Sequence, residues 1–199
     1  MIALSGHART ADAHGSLPAT YQRFGGVRCS SRVSAITQVI FRPIRREDRA
    51  ALAAGFYRLS AKSRERRFLG PKPRLTAGEL DYLTRVDHVT HEAIVAIDRR
   101  GRMVGVARYA TWPDERAIAD LAVTVADDWH GRGLGTALAR RVMEAARCNR
   151  IAVLTGSTLW DNEPARRLLH RLGFRPIGHE HGVIEFRLEL LPAIVAAAA

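Results

Sequence analysis

A glycine-rich turn at residues 131–135 is the part of this sequence whose residue types and spacing best suit ligand binding. Gly131, Gly133 and Gly135 follow an apolar run and precede the helical pattern that begins at Leu134. Glycines let the backbone turn sharply and bring several N–H groups close to a ligand. At a helix N-terminus these groups and the helix dipole favour an anion. The turn therefore predicts an anion site, for which a pyrophosphate is the natural occupant.

Two other classes of glycine loop do not fit this turn. A Walker P-loop needs Gly-Lys followed by Ser or Thr, and the turn contains no lysine. A dinucleotide fingerprint has the spacing G-x-G-x-x-G after the first strand of a parallel unit. Here the spacing is G-x-G-x-G, and it follows the fourth predicted strand. Neither a nucleoside triphosphate nor a dinucleotide is therefore the expected ligand.

The elements that must position this turn are those of one mixed α/β domain over residues 38–190. Ser60 and Thr76 are predicted to cap two short helices, the second with the capping-box partner Glu79. The pattern before the turn predicts an antiparallel meander, because its apolar runs are joined by short connections. Gly173 is predicted to end the last helix. The predicted strands are 39–44, 91–97, 103–110, 116–125, 151–155, 174–177 and 183–190.

The two ends of the chain differ in composition from this domain. Residues 1–37 are rich in Gly, Ser, Ala and Arg and carry a single acidic residue, Asp12. They lack the compact apolar segment of a secretory signal, and we expect a flexible basic extension. Residues 191–199 end in four alanines and are expected to be a frayed tail.

Charge and composition narrow the class of protein. The formal net charge is +11 among 199 residues, and nearly all the basic groups are arginines. The arginines are scattered, which favours a bias of composition over a nucleic-acid surface. No apolar run approaches the roughly 20 residues of a membrane span. With two cysteines and no histidines at metal-ligand spacing, the sequence predicts a cytoplasmic protein without a zinc site or a disulfide scaffold.

The segment His130-Gly131-Arg132-Gly133-Leu134-Gly135 resembles the cofactor signature of the GNAT acyltransferase superfamily. His130 departs from the Gln or Arg usual at the first position. The resemblance extends over roughly 41–189, and includes Arg42-Pro43-Ile44-Arg45 and Leu172-Gly173-Phe174. It implies a mostly antiparallel sheet of six to seven strands, splayed between strands 4 and 5 and flanked by about four helices.

The same resemblance implies acetyl-CoA as the cosubstrate and assigns residues to it. The backbone of Val123, Thr124 and Val125 would pair with the pantetheine arm as an added strand would. Asn162 stands where the family often contacts CoA, although its position also suits an ordinary helix N-cap. The pyrophosphate would lie against the loop and the start of the helix, which are formed by His130, Gly131, Arg132, Gly133, Leu134, Gly135 and Thr136.

Asp120 is the candidate general base by this resemblance. Acyl transfer needs a neutral amine, and a carboxylate, directly or through water, can remove its proton. The alternative is a polar residue on the exposed face of a strand. Many relatives carry a tyrosine as general acid seven residues after the asparagine, but that position here is Leu169. His170 is adjacent but points elsewhere on a helix, so a surface role is expected for it.

The acceptor is less constrained than the cofactor. Leu59-Ser60, Arg67-Phe68 and Val104-Gly105-Val106-Ala107-Arg108-Tyr109 are similar to the acetyltransferase domain of bacterial Pat-type enzymes, which favours a protein lysine. A small amine is the alternative acceptor. A sensor that binds acyl-CoA without catalysis is a second alternative, and a basic nucleic-acid-binding protein is a third. The oligomeric state stays open, with a homodimer as one option.

Overall fold

One seven-stranded sheet organises the described part of the chain, residues 38–190 of a computed structural model. The strand order is β1-β2-β3-β4-β5-β7-β6. The strands are β1 Val39–Pro43, β2 His91–Asp98, β3 Met103–Thr111, β4 Ile118–Val125, β5 Val153–Leu159, β6 Arg175–Glu180 and β7 Val183–Glu189. The helices are α1 Arg49–Arg58, α2 Ala61–Phe68, α3 Ala77–Thr84, α4 Leu134–Cys148 and α5 Glu163–Arg171.

Strands β2 to β4 form the antiparallel meander that their short connections predicted. β1 also pairs antiparallel with β2, although residues 44–90 separate the two strands in sequence. Among the described strands, β4 and β5 form the parallel pair. The connection between them contains α4, because parallel neighbours need a crossover. β7 lies between β5 and β6, so the last strand of residues 38–190 is not at the edge of the sheet. The mostly antiparallel, mixed α/β fold is confirmed.

Side chains of β3 and β4 alternate between the two faces of the sheet. Ala107 pairs with Val123 on the face that packs against α4. Val106 pairs with Thr124 on the other face, where α1 and α3 build a smaller apolar cluster around Leu52 and Leu83. The glycine turn therefore belongs to the α4 side, and the opposite face is left for other contacts.

Several local predictions hold in detail. Ser60 accepts a hydrogen bond from Ser63 N at the start of α2. Thr76 and Glu79 form the predicted capping box of α3. The helix count is five among residues 38–190, one more than expected.

Several strand limits differ from the prediction by one to four residues, and two of these differences have an identifiable cause. β4 begins at Ile118, two residues later than predicted, because Glu115 to Ile118 form a turn closed by Ile118 N to Glu115 O. β5 covers Val153–Leu159, four residues beyond the predicted end, since its whole length pairs with β7. The two segments predicted as extension and tail, 1–37 and 191–199, lie outside the described residues.

Candidate cofactor and acyl-transfer site

The splay between β4 and β5 creates a cleft beside the glycine turn. The two strands pair only from Ile118 to Asp120 of β4 and from Val153 to Thr155 of β5. Beyond this point β4 continues to Val125 against β3, while β5 continues against β7. The strands therefore diverge into a cleft of about 580 Å³, walled by β4, the glycine turn, α4, α5 and the side of α2.

The turn delivers the N-terminus of α4 to one end of this cleft. Gly131 and Gly133 have φ angles of 72° and 79°, a region that residues with a side chain seldom adopt. Gly133 is the N-cap and offers no side-chain acceptor to the helix. The first intrahelical bond runs from Ala137 N to Gly133 O at 3.0 Å. The N–H groups of the three preceding residues, 134–136, are therefore available to an anion in the cleft.

The structure brings most of the predicted cofactor residues to the cleft. Its lining includes Val123, Val125, His130, Gly131, Gly133, Leu134, Gly135, Thr136 and Asn162. Thr124 projects to the opposite face and lines a second cavity, as strand alternation requires, so only its backbone lies at the cleft edge. Arg132 is not part of the lining. Its guanidinium carbon lies 5.3 Å from the centroid of the Trp129 ring.

His130, the residue that departs from the family signature, supports the turn. Its Nε2 lies 3.0 Å from the carbonyl oxygen of Val125, and its Nδ1 lies 4.0 Å from Oδ1 of Asp127. Both contacts tie the turn to the end of β4. The side chain thus stabilises the turn, while its exposed part borders the cleft.

Asp127 connects the turn to α2, a link that the sequence did not predict. Its carboxylate accepts hydrogen bonds from Ser60 N at 2.7 Å and from the Ser63 hydroxyl. Burial acts to raise the pKa of Asp127, but the bonds from Ser63 and Ser60 outweigh it and lower that pKa. Asp127 stays ionised as a result, and it fixes α2 beside the cleft.

Asn162 lies at the N-cap position of α5, but its side chain does not cap the helix. The residue is 1% exposed, and Nδ2 donates to Thr158 Oγ1 at 3.0 Å. The helix is started by its backbone oxygen, which accepts from the N–H groups of Ala165 and Arg166. The expected side-chain cap is therefore wrong, while the position at the wall of the cleft agrees with the predicted cofactor contact.

Three arginines of the lining were not predicted. Arg66 comes from α2, and Arg167 and Arg171 come from α5. Apart from His130 they are the ionisable side chains that line the cleft among residues 38–190. The spacing of Arg167 and Arg171, four residues apart on one helix face, was a signal available in the sequence. Helix N–H groups and three arginines form a donor set suited to the phosphate groups of CoA.

Asp120 is the last residue of β4 that pairs with β5, so it lies where the two strands separate. It is 7% exposed, and its carboxylate accepts a hydrogen bond from the Thr155 hydroxyl. The alternative interpretation as a polar residue on an exposed strand face is therefore wrong. A buried carboxylate at the head of a cofactor cleft can take part in proton transfer.

Neither Leu169, at the position where many relatives carry a tyrosine, nor the adjacent His170 lines the cofactor cleft. Leu169 is fully buried in the main apolar cluster, so this position is used for packing. His170 is exposed, with its ring set edge-on against Phe186 at 5.5 Å between centroids.

Among residues 38–190 there is no group of three His, Cys, Asp or Glu side chains that could hold a metal ion. Within the same range no helix is long and apolar enough to cross a membrane.

Comparison with known proteins agrees with this geometry. Residues 38–175 match the family model of the acetyltransferase (GNAT) domain. An acetyltransferase of Pseudomonas aeruginosa, PA5475, is 36% identical over 139 residues, which are 68% of this chain and 74% of that protein. The chain belongs to the GNAT acetyltransferase family, and it is an N-acetyltransferase that uses acetyl-CoA as its cosubstrate.

Two further similarities bear on the kind of relative. The acetyltransferase Pat of Mycolicibacterium smegmatis is 27% identical over 152 residues, and the match covers 76% of this chain but only 45% of that protein. The crystal structure of the GNAT domain of S. lividans PAT superposes with a TM-score of 0.70 at 27% identity. That match covers 75% of this chain and 89% of the other.

Proposed function

We propose that this protein transfers the acetyl group of acetyl-CoA directly to an amine bound at the point where β4 and β5 separate. The observation that carries the proposal is the cleft itself, with the α4 N-terminus at one end and Asp120 where the strands part. The pantetheine arm would run along the edge of β4 that β5 leaves unpaired, beside Val123 and Val125. The phosphates would meet the N–H groups of residues 134–136 and the three cleft arginines.

Asp120 is proposed as the general base for the acceptor amine. An ammonium has no lone pair, so the proton must leave before the nitrogen attacks the thioester carbonyl. The Thr155 hydroxyl orients the carboxylate by donating to it. As the new C–N bond forms, the C–S bond breaks and CoA leaves as a thiolate. The nitrogen releases its second proton to solvent as the amide forms, and the thiolate takes a proton from solvent. Leu169 cannot supply that proton, because a leucine side chain has no ionisable group.

A protein lysine is the proposed acceptor, supported by the similarity to the Pat proteins over most of this domain. A small amine is a second candidate, which a different observation favours. An L-methionine sulfoximine/L-methionine sulfone acetyltransferase of Pseudomonas aeruginosa is 35% identical over 88 residues. These make up 43% of this chain and 51% of that protein.

Substitution Asp120→Asn tests the proposed mechanism. Asn keeps an oxygen that can accept from Thr155 but cannot take up a proton, so kcat should fall by about 10²- to 10⁴-fold. Binding of acetyl-CoA, measured by calorimetric titration, should be unchanged, since Asp120 does not line the cofactor cleft. Asp114→Asn is the matched control, because Asp114 is an exposed acid in the turn before β4.

Full turnover by the Asp120→Asn variant would refute the role of the carboxylate as base. An equal fall of kcat in the Asp114→Asn control would show that the loss follows from removing any negative charge and not from removing the base. Absence of acetyl-CoA binding by the folded wild-type protein would overturn the assignment of the cleft.

A further inference from the structure

Two buried arginines share a narrow cavity on the face of the sheet opposite α4. Arg67 of α2 is 7% exposed and Arg108 of β3 is 2% exposed. The cavity holds about 60 Å³ of free space between α1, α2, α3 and the strands β3 and β4. The rest of its wall is almost wholly apolar, with Leu52, Phe56, Leu83 and Val106 among its members. Two cations thus face an apolar cavity.

No carboxylate of residues 38–190 pairs with either guanidinium. Arg108 Nη1 donates to the carbonyl oxygen of Leu83 at 3.1 Å and lies 3.2 Å from Nε2 of His91. Arg67 forms no hydrogen bond or ion pair within that range, and its guanidinium carbon lies 4.9 Å from the Phe68 ring centroid. A guanidinium that is nine-tenths buried and faces a cavity without an acceptor is an unusual arrangement.

Both groups stay charged in spite of this environment. Burial lowers the pKa of Arg67 to about 10. Burial, followed by repulsion from Arg67, lowers the pKa of Arg108 to about 9. His91, next to Arg108, is neutral, because burial lowers its pKa to about 3. Two positive charges that repel each other in an apolar cavity are stabilised by an anion placed between them.

We propose, on the basis of the proposed function, that Arg67 and Arg108 bind a carboxylate of the acceptor, so that the preferred acceptor is an amine that also carries a carboxylate. A guanidinium presents a planar pair of donors that matches the two oxygens of a carboxylate. The free space of the cavity would hold roughly four water molecules, counted at the minimum volume that one water needs. This space admits a carboxylate but not a large group.

The sheet register places the Arg108 end of this cavity near the proposed base. Ala110 pairs with Asp120, and Arg108 pairs with Ala122, so Arg108 and Asp120 start from the same face of the sheet. Arg108 and Asp120 lie two residues apart in the register, which is about 7 Å along the strand direction. Thr124, which follows on the same face of β4, lines the cavity. A carboxylate held by the arginines would leave an amine a few bonds away within reach of Asp120.

The carboxylate could come from a free amino acid or from an acidic residue beside a lysine in a peptide. The assay therefore compares free L-amino acids with their carboxamides, and lysine peptides flanked by Glu with the same peptides flanked by Gln. The wild type should prefer the carboxylate member of at least one of these sets by about 100-fold or more in kcat/KM. An acceptor that lacks the carboxylate leaves the buried cations unpaired. The set that shows the preference identifies the source.

Arg67→Met is the decisive variant, since Arg67 has no hydrogen-bond or ion-pair partner to lose within residues 38–190. The preference for the carboxylate should vanish, because kcat/KM for the acid should fall while kcat/KM for the amide stays unchanged. The unfolding midpoint should stay the same or rise, because an unpaired buried charge has been removed. Arg74→Met, which removes an exposed arginine of the α2–α3 connection, should keep the preference.

A second readout does not depend on activity. Sodium formate should raise the unfolding midpoint of the wild type relative to sodium chloride at equal ionic strength, and should not do so for Arg67→Met. Equal rates with acids and amides in both sets, or a midpoint that falls in Arg67→Met with unchanged preference, would overturn the inference and leave the proposed acetyl transfer intact. Failure to bind acetyl-CoA would instead overturn the proposed function, while the formate comparison would still test the cavity.

Discussion

His91 should make the stability of this protein depend on pH between about 7 and 5. Its ring is 8% exposed and is stacked on Tyr82 at 4.8 Å between centroids. Burial, and next the charge of Arg108, lower its pKa to about 3, against an opposing effect of Asp87 and a further lowering by His88. Nε2 faces the guanidinium of Arg108 and acts as an acceptor, so the single proton belongs on Nδ1.

The size of the effect follows from proton linkage. The unfolded chain titrates this histidine near its ordinary value of 6.5, while the folded chain keeps it neutral down to about pH 3. Stability is therefore full above pH 6.5 and is lost as the pH falls below that value, because only the unfolded state takes up the proton. At pH 5, 1.5 pH units below the unfolded pKa, the loss is about 2 kcal/mol.

Urea unfolding at pH 8, 7, 6 and 5 would measure this loss directly. The wild type should lose about 2 kcal/mol between pH 7 and pH 5. His91→Gln should be less stable at pH 8, because it loses the stacked ring, but should lack this dependence on pH. His179→Gln, which alters an exposed histidine of β6, should keep the wild-type slope. An unchanged slope in His91→Gln would refute the reasoning.

Three substitutions test the packing that supports the site. Gly133→Ala should cost about 1 to 2 kcal/mol of unfolding free energy through its φ of 79° alone, since no atom lies within 4 Å of the added Cβ, and should weaken acetyl-CoA binding in calorimetry. Gly105→Ala should cost about 1 to 3 kcal/mol in urea unfolding, because its Cβ would lie 2.8 Å from Leu138 Cδ1 and 3.2 Å from Thr124 O. Leu169→Ala should cost about 2 to 5 kcal/mol by thermal unfolding, because it opens a void in the core. Losses below 0.5 kcal/mol in any of the three would contradict the packing described.

Local features of the fold were predictable because they depend on residues close together in the chain. Ser60 and Thr76 cap their helices through N–H groups three residues away, at Ser63 and Glu79. The order of the meander followed from short connections between apolar runs. The last limit of β5 was not predictable, because its final four residues are strand only through pairing with β7, some 30 residues later.

The candidate site was predictable in its glycine turn but not in its electrostatics. Gly131 and Gly133 are informative in sequence, since only glycine readily adopts their backbone conformation. The role of Asn162 was half right, because the residue starts α5 with its backbone and not with its side chain. Arg66 and Arg171 lie 105 residues apart and meet at one cleft only after α2 and α5 have packed beside β4.

By itself, the sequence determined the family, the position of the glycine turn and the class of cosubstrate, because each depends on residue types within short segments of chain. Tertiary structure alone decided which charges meet and which remain without a partner. Arg67 and Arg108 are unremarkable among many arginines until the sheet and α2 enclose them in one apolar cavity. Asp120 is one of several acids until the parting of β4 and β5 buries it at the head of the cleft. Burial and pairing over such separations are properties of packing, which no local pattern encodes.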